Sequence, residues 1–356
     1  MSDTAPKKKP HSRHGRAGLF GPFVLLLIVV AGWSVWWFYL ADQVKTRFEA
    51  QAQSLRTAGW QVTYTKLGMS GWPFRLRVQA DHVSFDAPSG HGVAGPKLVA
   101  QATAWNPDKW VLIAPDGLTV TRAGKGKVAV RGEAIRMSVH GLTQRWPNVA
   151  IELAKPEFTI LPGAEPFPIS RARLIQLYLR PHLAPAGTPG VENSVDMLFR
   201  LVEAEGRPHG PVEGMTRNGM LSAQIETVIE HADQLSGADA AGVFGAWTRG
   251  GGRFTRVRGE LQAGDSRAVL SSDLLSAQPD GRLQGQLALK AEKPLPAIAG
   301  LARSNSGAVN QAGAMGAAAA TAVAGGAGDN IDLTLVFKNG RTFLGPFALA
   351  PAPKLF

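Results

Sequence analysis

Apolar and polar residues alternate along most of the chain after Gly59. Trp60, Val62 and Tyr64 of "WQVTYTKL" alternate with polar residues, as do the apolar residues of "FRLRVQA". Similar runs, each closed by Pro, Gly, Asp or Asn, recur toward the C-terminus. A period of two is typical of a strand with one face toward a core and the other toward water. The pattern predicts a mainly β protein, a large antiparallel roll, sandwich or open groove with a few short helices.

The phase of the alternation changes once near the start of this β-rich region. Apolar positions are even-numbered at Phe74, Leu76 and Val78 and odd-numbered at Val83 and Phe85. Because a shift of one residue turns every side chain to the other face, the sequence predicts a β-bulge near Asp81 and His82.

A different pattern precedes the strands. Residues 19–40 contain no charged residue, and a run of about 20 apolar residues spans a bilayer. A cleaved signal peptide is the alternative, but its apolar core is shorter and ends in small residues. This run ends in aromatic residues that are typical of a membrane interface, so a transmembrane helix is favoured. The aromatic residues are Trp33, Trp36, Trp37, Phe38 and Tyr39.

The charges that flank this helix predict its orientation. Residues 1–18 form a basic tail, and Lys and Arg are retained on the cytoplasmic side of a membrane. We therefore expect a single-pass protein of the bacterial inner membrane with a cytoplasmic N-terminus. Residues 41–58 have helical spacing and predict a membrane-proximal helix that stops at Gly59. Residues 59–356 then form a periplasmic β-rich domain.

Composition and motifs exclude several kinds of chemistry. The net charge of +11 suggests nucleic acid at first. The tail holds five Lys and Arg against one Asp, which explains topology, and most of the other basic residues alternate with apolar residues along strands, as on a solvated sheet face. No nucleic-acid partner is therefore expected. The chain has no cysteine, and no two of its eight histidines have a zinc-ligand spacing. Nucleophile-elbow and phosphate-loop motifs are also absent from the sequence. We expect no enzyme activity, no cofactor and no metal.

The segment "LLSAQPDGRLQGQLALK" suggests a binding surface. Its "PDG" predicts a hairpin turn, and Leu283, Leu287 and Leu289 then lie on one strand face with polar residues between them. An incompletely closed β roll lined in this way would offer an apolar groove for acyl chains. A filled core without a ligand is the alternative.

The stretch "SGWPFRLRV" predicts a structural corner. Gly71 permits backbone conformations closed to other residues, and Pro73 suits the first position of a strand. Trp72 and Phe74 are expected to close the end of the core nearest the membrane-proximal helix. The outward-facing arginines of the same stretch support an alternative, contact with lipid headgroups. These arginines are Arg75 and Arg77.

Residues 304–328 are rich in Ala and Gly and contain little to bury. Such a segment could form a marginal Ala-rich helix, but its glycines favour a flexible insertion.

These features together resemble a known family. The basic tail, the aromatic-ended anchor, "GWQVTYTKLGMSGWPFRLRV", "PDGRLQGQLALKAEKPLPAI" and "NGRTFLGPFALAPAPKL" resemble the proteobacterial domain-of-unknown-function family twenty-one twenty-five over nearly the whole chain. The architecture is also similar, more distantly, to AsmA-type envelope proteins, which have an inner-membrane helix and a β-rich periplasmic portion. That similarity implies a role in outer-membrane biogenesis and lipid movement, by analogy of fold.

Two functional hypotheses follow. The first is a non-enzymatic, membrane-anchored periplasmic protein that maintains the cell envelope by handling a lipid or another amphiphile in a β groove. The alternative is a periplasmic scaffold with a solid core, whose sheet edges or low-complexity arm bind another envelope protein.

Overall fold

A long N-terminal helix precedes the sheet. The computed structural model describes residues 17–183, 193–217, 219–235, 242–304, 307, 309–323 and 330–355. Helix α1 (Ala17–Thr57) joins the predicted transmembrane and membrane-proximal helices into one element. It ends before Gly59, whose φ of +88° is typical of a glycine that terminates a helix. The predicted basic tail lies outside the described residues, apart from the start of α1.

The first half of α1 presents apolar side chains on all sides. From Phe23 to Val30 every side chain is at least 40% exposed. An 18-residue window of the helix has a mean hydropathy of 2.2. A helix that is apolar all round requires an apolar environment. The helix is long and apolar enough to cross a membrane, so it is compatible with a single-pass anchor.

The rest of the described chain is mainly antiparallel sheet. The strands are β1 (Gln61–Thr63), β2 (Lys66–Ser70), β3 (Arg75–Asp86), β4 (Gly92–Thr103), β5 (Asn106–Ile113), β6 (Leu118–Arg122), β7 (Gly126–Arg131), β8 (Ala134–His140), β9 (Asn148–Ala154), β10 (Glu157–Ile160), β11 (Ile169–Arg171), β12 (Leu174–Pro181), β13 (Val195–Gly206), β14 (Leu221–Ile229), β15 (Arg253–Ala263), β16 (Ser266–Ala277), β17 (Leu283–Glu292), β18 (Asn330–Lys338), β19 (Arg341–Leu344) and β20 (Phe347–Pro351).

The strands pair in chain order. Strand β4 pairs with β5 through one half and with β6 through the other, so β5 and β6 are two parts of one bent strand. The same holds for β7 with β8, β9 with β10 and β11 with β12. From β13 to β20 each strand pairs with the next. The fold is therefore a meander of long hairpins, and the predicted antiparallel β architecture is confirmed.

The bends of neighbouring strands adjoin one another. The amide of Glu133 donates a hydrogen bond to the carbonyl of Ala154, and the amide of Lys155 donates one to the carbonyl of Arg173. These bonds join the bends between β7 and β8, between β9 and β10, and between β11 and β12. A buried cluster forms around this line and includes Ile135 and Ala204. The sheet therefore folds over its own inner face at the bends.

The predicted bulge at Asp81 and His82 is wrong. Asp81 pairs with Lys97 and Val83 with Gly95, so the register continues without an inserted residue. His82 instead has a φ of +49°, and this left-handed backbone accompanies the change of apolar phase.

Short helices lie between the later strands. They are α2 (Pro211–Thr216), a 3-10 turn (Ala232–Gln234), α3 (Gly245–Arg249), α4 (Pro294–Ala302) and α5 (Gln311–Val323). The helices α4 and α5 pack against each other, and together with β20 they bury Ile298, Ala314 and Leu349.

Helix α5 corrects the expectation of a flexible insertion at residues 304–328. A side-chain carbon on Gly313 would collide with the carbonyl oxygen of Ala348, and one on Gly316 would collide with the ring of Phe347. The glycines thus permit close packing of α5 on β20. The remainder of the predicted insertion lies partly outside the described residues.

Candidate functional site

The C-terminal half of α1 is fixed to the sheet by a small apolar cluster. Trp37 is 4% exposed and Leu76 is fully buried, and Ala41 and Ala104 complete the cluster. Trp33, Val44 and Trp110 pack around it. Since these contacts combine helix residues with residues of β3 and the β4–β5 turn, α1 is part of the folded domain and not a separate tether.

The "SGWPFRLRV" corner lies directly against α1. The indole Nε1 of Trp33 donates a 2.8 Å hydrogen bond to the carbonyl oxygen of Pro73. Trp72 donates a 3.2 Å hydrogen bond in the opposite direction, to the hydroxyl of Ser34. Gly71 has a φ of +106°, and a side-chain carbon there would lie 2.5 Å from the carbonyl oxygen of Arg75. The corner therefore needs glycine at this position.

The aromatic residues of the corner do not close the core. Trp72 is 50% exposed and Phe74 is 62% exposed, whereas Leu76, two residues further on, is fully buried. The expectation that Trp72 and Phe74 seal the end of the core is therefore wrong. Arg75 and Arg77 are exposed as predicted from their alternation with apolar residues.

A wholly apolar cavity of about 250 Å³ lies between α1 and the first long strands. Its volume is close to the lower end of the roughly 300–1,000 Å³ found for small-molecule sites. Because no polar atom contributes to its wall, the cavity, called here the α1 cavity, suits a hydrocarbon group and offers no hydrogen bond to a polar one. The lining residues are Val44, Phe48, Val78, Ala80, Val83, Phe85, Leu98, Val99, Ala100, Trp110 and Leu112.

The wall of the α1 cavity continues as a row of apolar residues across the sheet. Directly paired residues of an antiparallel sheet point to the same face, so the register defines which side chains are neighbours. The row crosses twelve strands, which corresponds to about 50 Å along the sheet at ~4.8 Å per strand. This central row is Val78, Ala100, Leu112, Met137, Ile151, Leu177, Phe199, Ile225, Gly259, Leu270, Leu289 and Leu333.

The central row is only partly covered. Ten of its twelve residues, among them Leu177 and Phe199, are of intermediate exposure, whereas Val78 and Leu270 are buried at 5% and 8%. In the core clusters, Leu76 and Val128 are 0% and 2% exposed. A second layer packed over the row would bury the partly exposed side chains as fully as the core. Apart from Val78 and Leu270, the row is therefore the half-buried floor of an apolar groove.

The predicted groove residues lie on the same face of β17. Leu289 belongs to the central row, Leu287 pairs with Leu335 of β18, and Leu283 lies near the end of the strand opposite Ala277. All three are half-buried and pack against the cluster that contains Phe337. The sequence indicated this one strand of the face, but it did not reveal the eleven others, because their alignment depends on the register of each hairpin.

The opposite face of the sheet is polar. Arg136 forms an ion pair with Glu152, which also accepts a 3.0 Å hydrogen bond from Gln176. Further along, the guanidinium of Arg200 donates to the side-chain oxygen of Gln224. These residues alternate with members of the central row, so the two faces differ sharply in polarity.

The described residues contain no group of three or more His, Asp or Glu side chains that could hold a metal ion. His182 contacts Asp196, which also pairs with Arg180 at 3.0 Å on the polar face of β12 and β13. This cluster is an ordinary set of surface ion pairs, and such pairs contribute little to stability.

The helix and groove together define the class of protein, an antiparallel β meander with an apolar face that begins at an N-terminal helix suited to a membrane. Residues 37–353 match the model of a bacterial family, DUF2125, described as "Uncharacterized protein conserved in bacteria". The chain belongs to this family, as its sequence motifs predict. No curated protein matches the chain, and no solved structure matches it.

Proposed function

We propose that this protein is a non-enzymatic, inner-membrane-anchored periplasmic protein that binds a lipid or another amphiphile in its sheet groove and so supports the cell envelope. The observation that carries the proposal is the half-buried central row, which leads from the α1 cavity to Leu333. Burial of exposed apolar surface contributes about 25 cal/mol per Å², so an acyl chain laid along this floor would be stabilised over much of its length.

The polarity of the sheet supports an amphiphile as the ligand. The groove floor takes the hydrocarbon part, while the polar face keeps the domain soluble in an aqueous compartment. Charged residues of β17, such as Lys290 and Glu292, alternate with the apolar floor and so lie on the polar face.

The proposed orientation in the membrane rests on the distribution of charge. Lys7, Lys8 and Lys9 precede the apolar span, which favours a cytoplasmic N-terminus and a periplasmic sheet. A reporter fused after Phe356 should be active when it requires the periplasm and inactive when it requires the cytoplasm. Activity of the cytoplasmic reporter alone would overturn the proposed orientation.

The ligand can be tested by photo-crosslinking in isolated membranes that contain the full chain. A photoreactive amino acid is placed at Leu177 or Leu289 of the central row, or at the adjacent Tyr178 or Lys290, whose side chains lie on the polar face. Each pair compares neighbouring positions in the same strand. We expect lipid-mass adducts at Leu177 and Leu289 and few at the control positions. Equal labelling of both faces, or no lipid adduct in the row, would overturn the groove proposal.

The scaffold alternative has less support. It relies on the sheet edges or the low-complexity arm as the binding element, and α5 within this arm is packed on β20 through Gly313 and Gly316. In the crosslinking experiment a scaffold with a solid core would give no lipid adduct at Leu177 or Leu289.

A further inference from the structure

Three aromatic side chains project from the sheet beside α1. Trp72, Phe74 and Trp105 are 50%, 62% and 63% exposed, and the rings of Phe74 and Trp105 lie edge to face with centroids 6.4 Å apart. These three residues, called here the aromatic patch, come from two separate turns, one before β3 and one between β4 and β5. Large aromatic side chains clustered on a surface mark a site of interaction.

The hydrogen bonds to α1 define the level of the patch along the helix. Trp72 bonds to Ser34, and Trp33 and Trp37 bond to the backbone on either side of Phe74. These helix residues lie within the uncharged run of residues 19–40, in its last two turns. At ~1.5 Å rise per residue, Trp37 is only about 5 Å from the end of the run. The patch is therefore held at the depth of a membrane interface, the layer in which Trp is enriched.

The residues around the aromatic patch are also suited to a membrane interface, because they are exposed and either apolar or cationic. On α1, Val35, Trp36 and Phe38 are 72%, 48% and 62% exposed at this level. On the sheet, Arg75 and Arg77 are exposed and form no ion pair with any residue in the described part of the chain. An aromatic patch bordered by exposed cations is complementary to a lipid surface with anionic headgroups.

We propose that the aromatic patch inserts into the outward-facing interface of the same bilayer that holds α1. The proposal deepens the proposed function and rests on its membrane anchor. The sheet is then attached to the membrane at two points, the helix and the patch, so it cannot rotate freely above the surface.

The insertion has a consequence for the source of the ligand. Val44, which lines the α1 cavity and also packs in the cluster of Trp37, lies seven residues beyond that tryptophan, about 10 Å along the helix axis. With the patch in the interface, the α1 cavity is immediately above the headgroups. The outward-facing leaflet of the anchoring membrane is therefore the nearest source of the amphiphile.

The absence of cysteine from the chain makes a direct test practicable. Single cysteines are introduced at Phe74 or Trp105, at Val35 as a lipid-facing reference, and at Val269 on β16 as a water-facing reference that is 55% exposed. The full chain is spin-labelled in nanodiscs of phosphatidylcholine and phosphatidylglycerol. Accessibility to oxygen reports lipid, and accessibility to a water-soluble nickel complex reports water.

We expect the labels at Phe74 and Trp105 to resemble the label at Val35, with at least a severalfold higher ratio of oxygen to nickel accessibility than at Val269. Similar ratios at the patch and at Val269 would place the patch in water and overturn the proposal. Protection from both reagents would indicate a protein partner or a second copy and would also overturn it. Because the test does not involve the groove, its failure is distinct from a failure of lipid crosslinking at Leu177.

Discussion

The indole Nε1 of Trp37 donates a 2.9 Å hydrogen bond to the carbonyl oxygen of Arg75, the first residue of β3. The two residues are 38 positions apart in the chain, and Trp37 is 4% exposed. The bond joins α1 to β3, the first long strand of the sheet. In the proposed membrane-anchored protein, a rigid junction of this kind would let the bilayer orient the sheet.

Replacement of Trp37 by phenylalanine should weaken this junction. The change removes the donor and leaves the Arg75 carbonyl without its partner, which costs about 1–2 kcal/mol at a partly buried site. We expect a lower urea midpoint for the full chain in detergent micelles, followed by circular dichroism. Trp36→Phe is the matched control, because Trp36 is 48% exposed. Equal stability of the two variants would show that the hydrogen bond contributes nothing measurable.

Much of the fold could be predicted from local patterns. The uncharged run of residues 19–40 predicted the helix, and the alternation in residues such as Leu76 and Val78 predicted strands with one buried face. The turn at Asp280 also joins β16 and β17 as the "PDG" motif indicated. These features depend on neighbours in the sequence, which is why a single sequence contains them.

The features that could not be predicted depend on distant residues. The packing of Gly313 against Ala348 is invisible in a segment that reads as Ala- and Gly-rich, so a helix was mistaken for a flexible insertion. The hydrogen bond from Trp33 to Pro73 likewise spans 40 positions. The central row is the clearest case, because eleven hairpin registers must be known before Leu177 and Leu289 can be placed in one line.

The packing of α5 can be tested with Gly313→Ala. In an unpacked helix the change would stabilise by about 1 kcal/mol, because alanine is the better helix former. Against β20 the added methyl group meets the Ala348 carbonyl, so we expect a net loss of stability. The sign of the change in urea midpoint separates the two cases. As a comparison, Ala319→Gly on the exposed side of α5 should lower the free energy of unfolding by about 1 kcal/mol, because glycine is the poorer helix former.

Because the groove is open, two leucine-to-alanine substitutions are expected to lower the free energy of unfolding by different amounts. Leu76 is fully buried, so Leu76→Ala should destabilise by about 2–5 kcal/mol. Leu177 is half-buried on the groove floor, so Leu177→Ala removes fewer contacts and should cost about 1 kcal/mol. Both values come from urea unfolding of the lipid-free chain. A cost at Leu177 as large as that at Leu76 would mean that the central row is part of a filled core.

The corner at Gly71 allows the sharpest local prediction. Its φ of +106° is a conformation that residues with a side chain rarely adopt, and a side-chain carbon would lie 2.5 Å from the Arg75 carbonyl oxygen. Gly71→Ala should therefore destabilise the domain by about 1–3 kcal/mol, the usual range for a strained backbone. Gly68→Ala is the matched control in β2, because nothing lies within 4 Å of the added carbon and φ is not positive there. That substitution should be neutral or slightly stabilising, since glycine weakens a strand. If both variants unfolded at the same urea concentration, the corner would not need glycine, and the position of the aromatic patch against α1 would have to depend on other contacts.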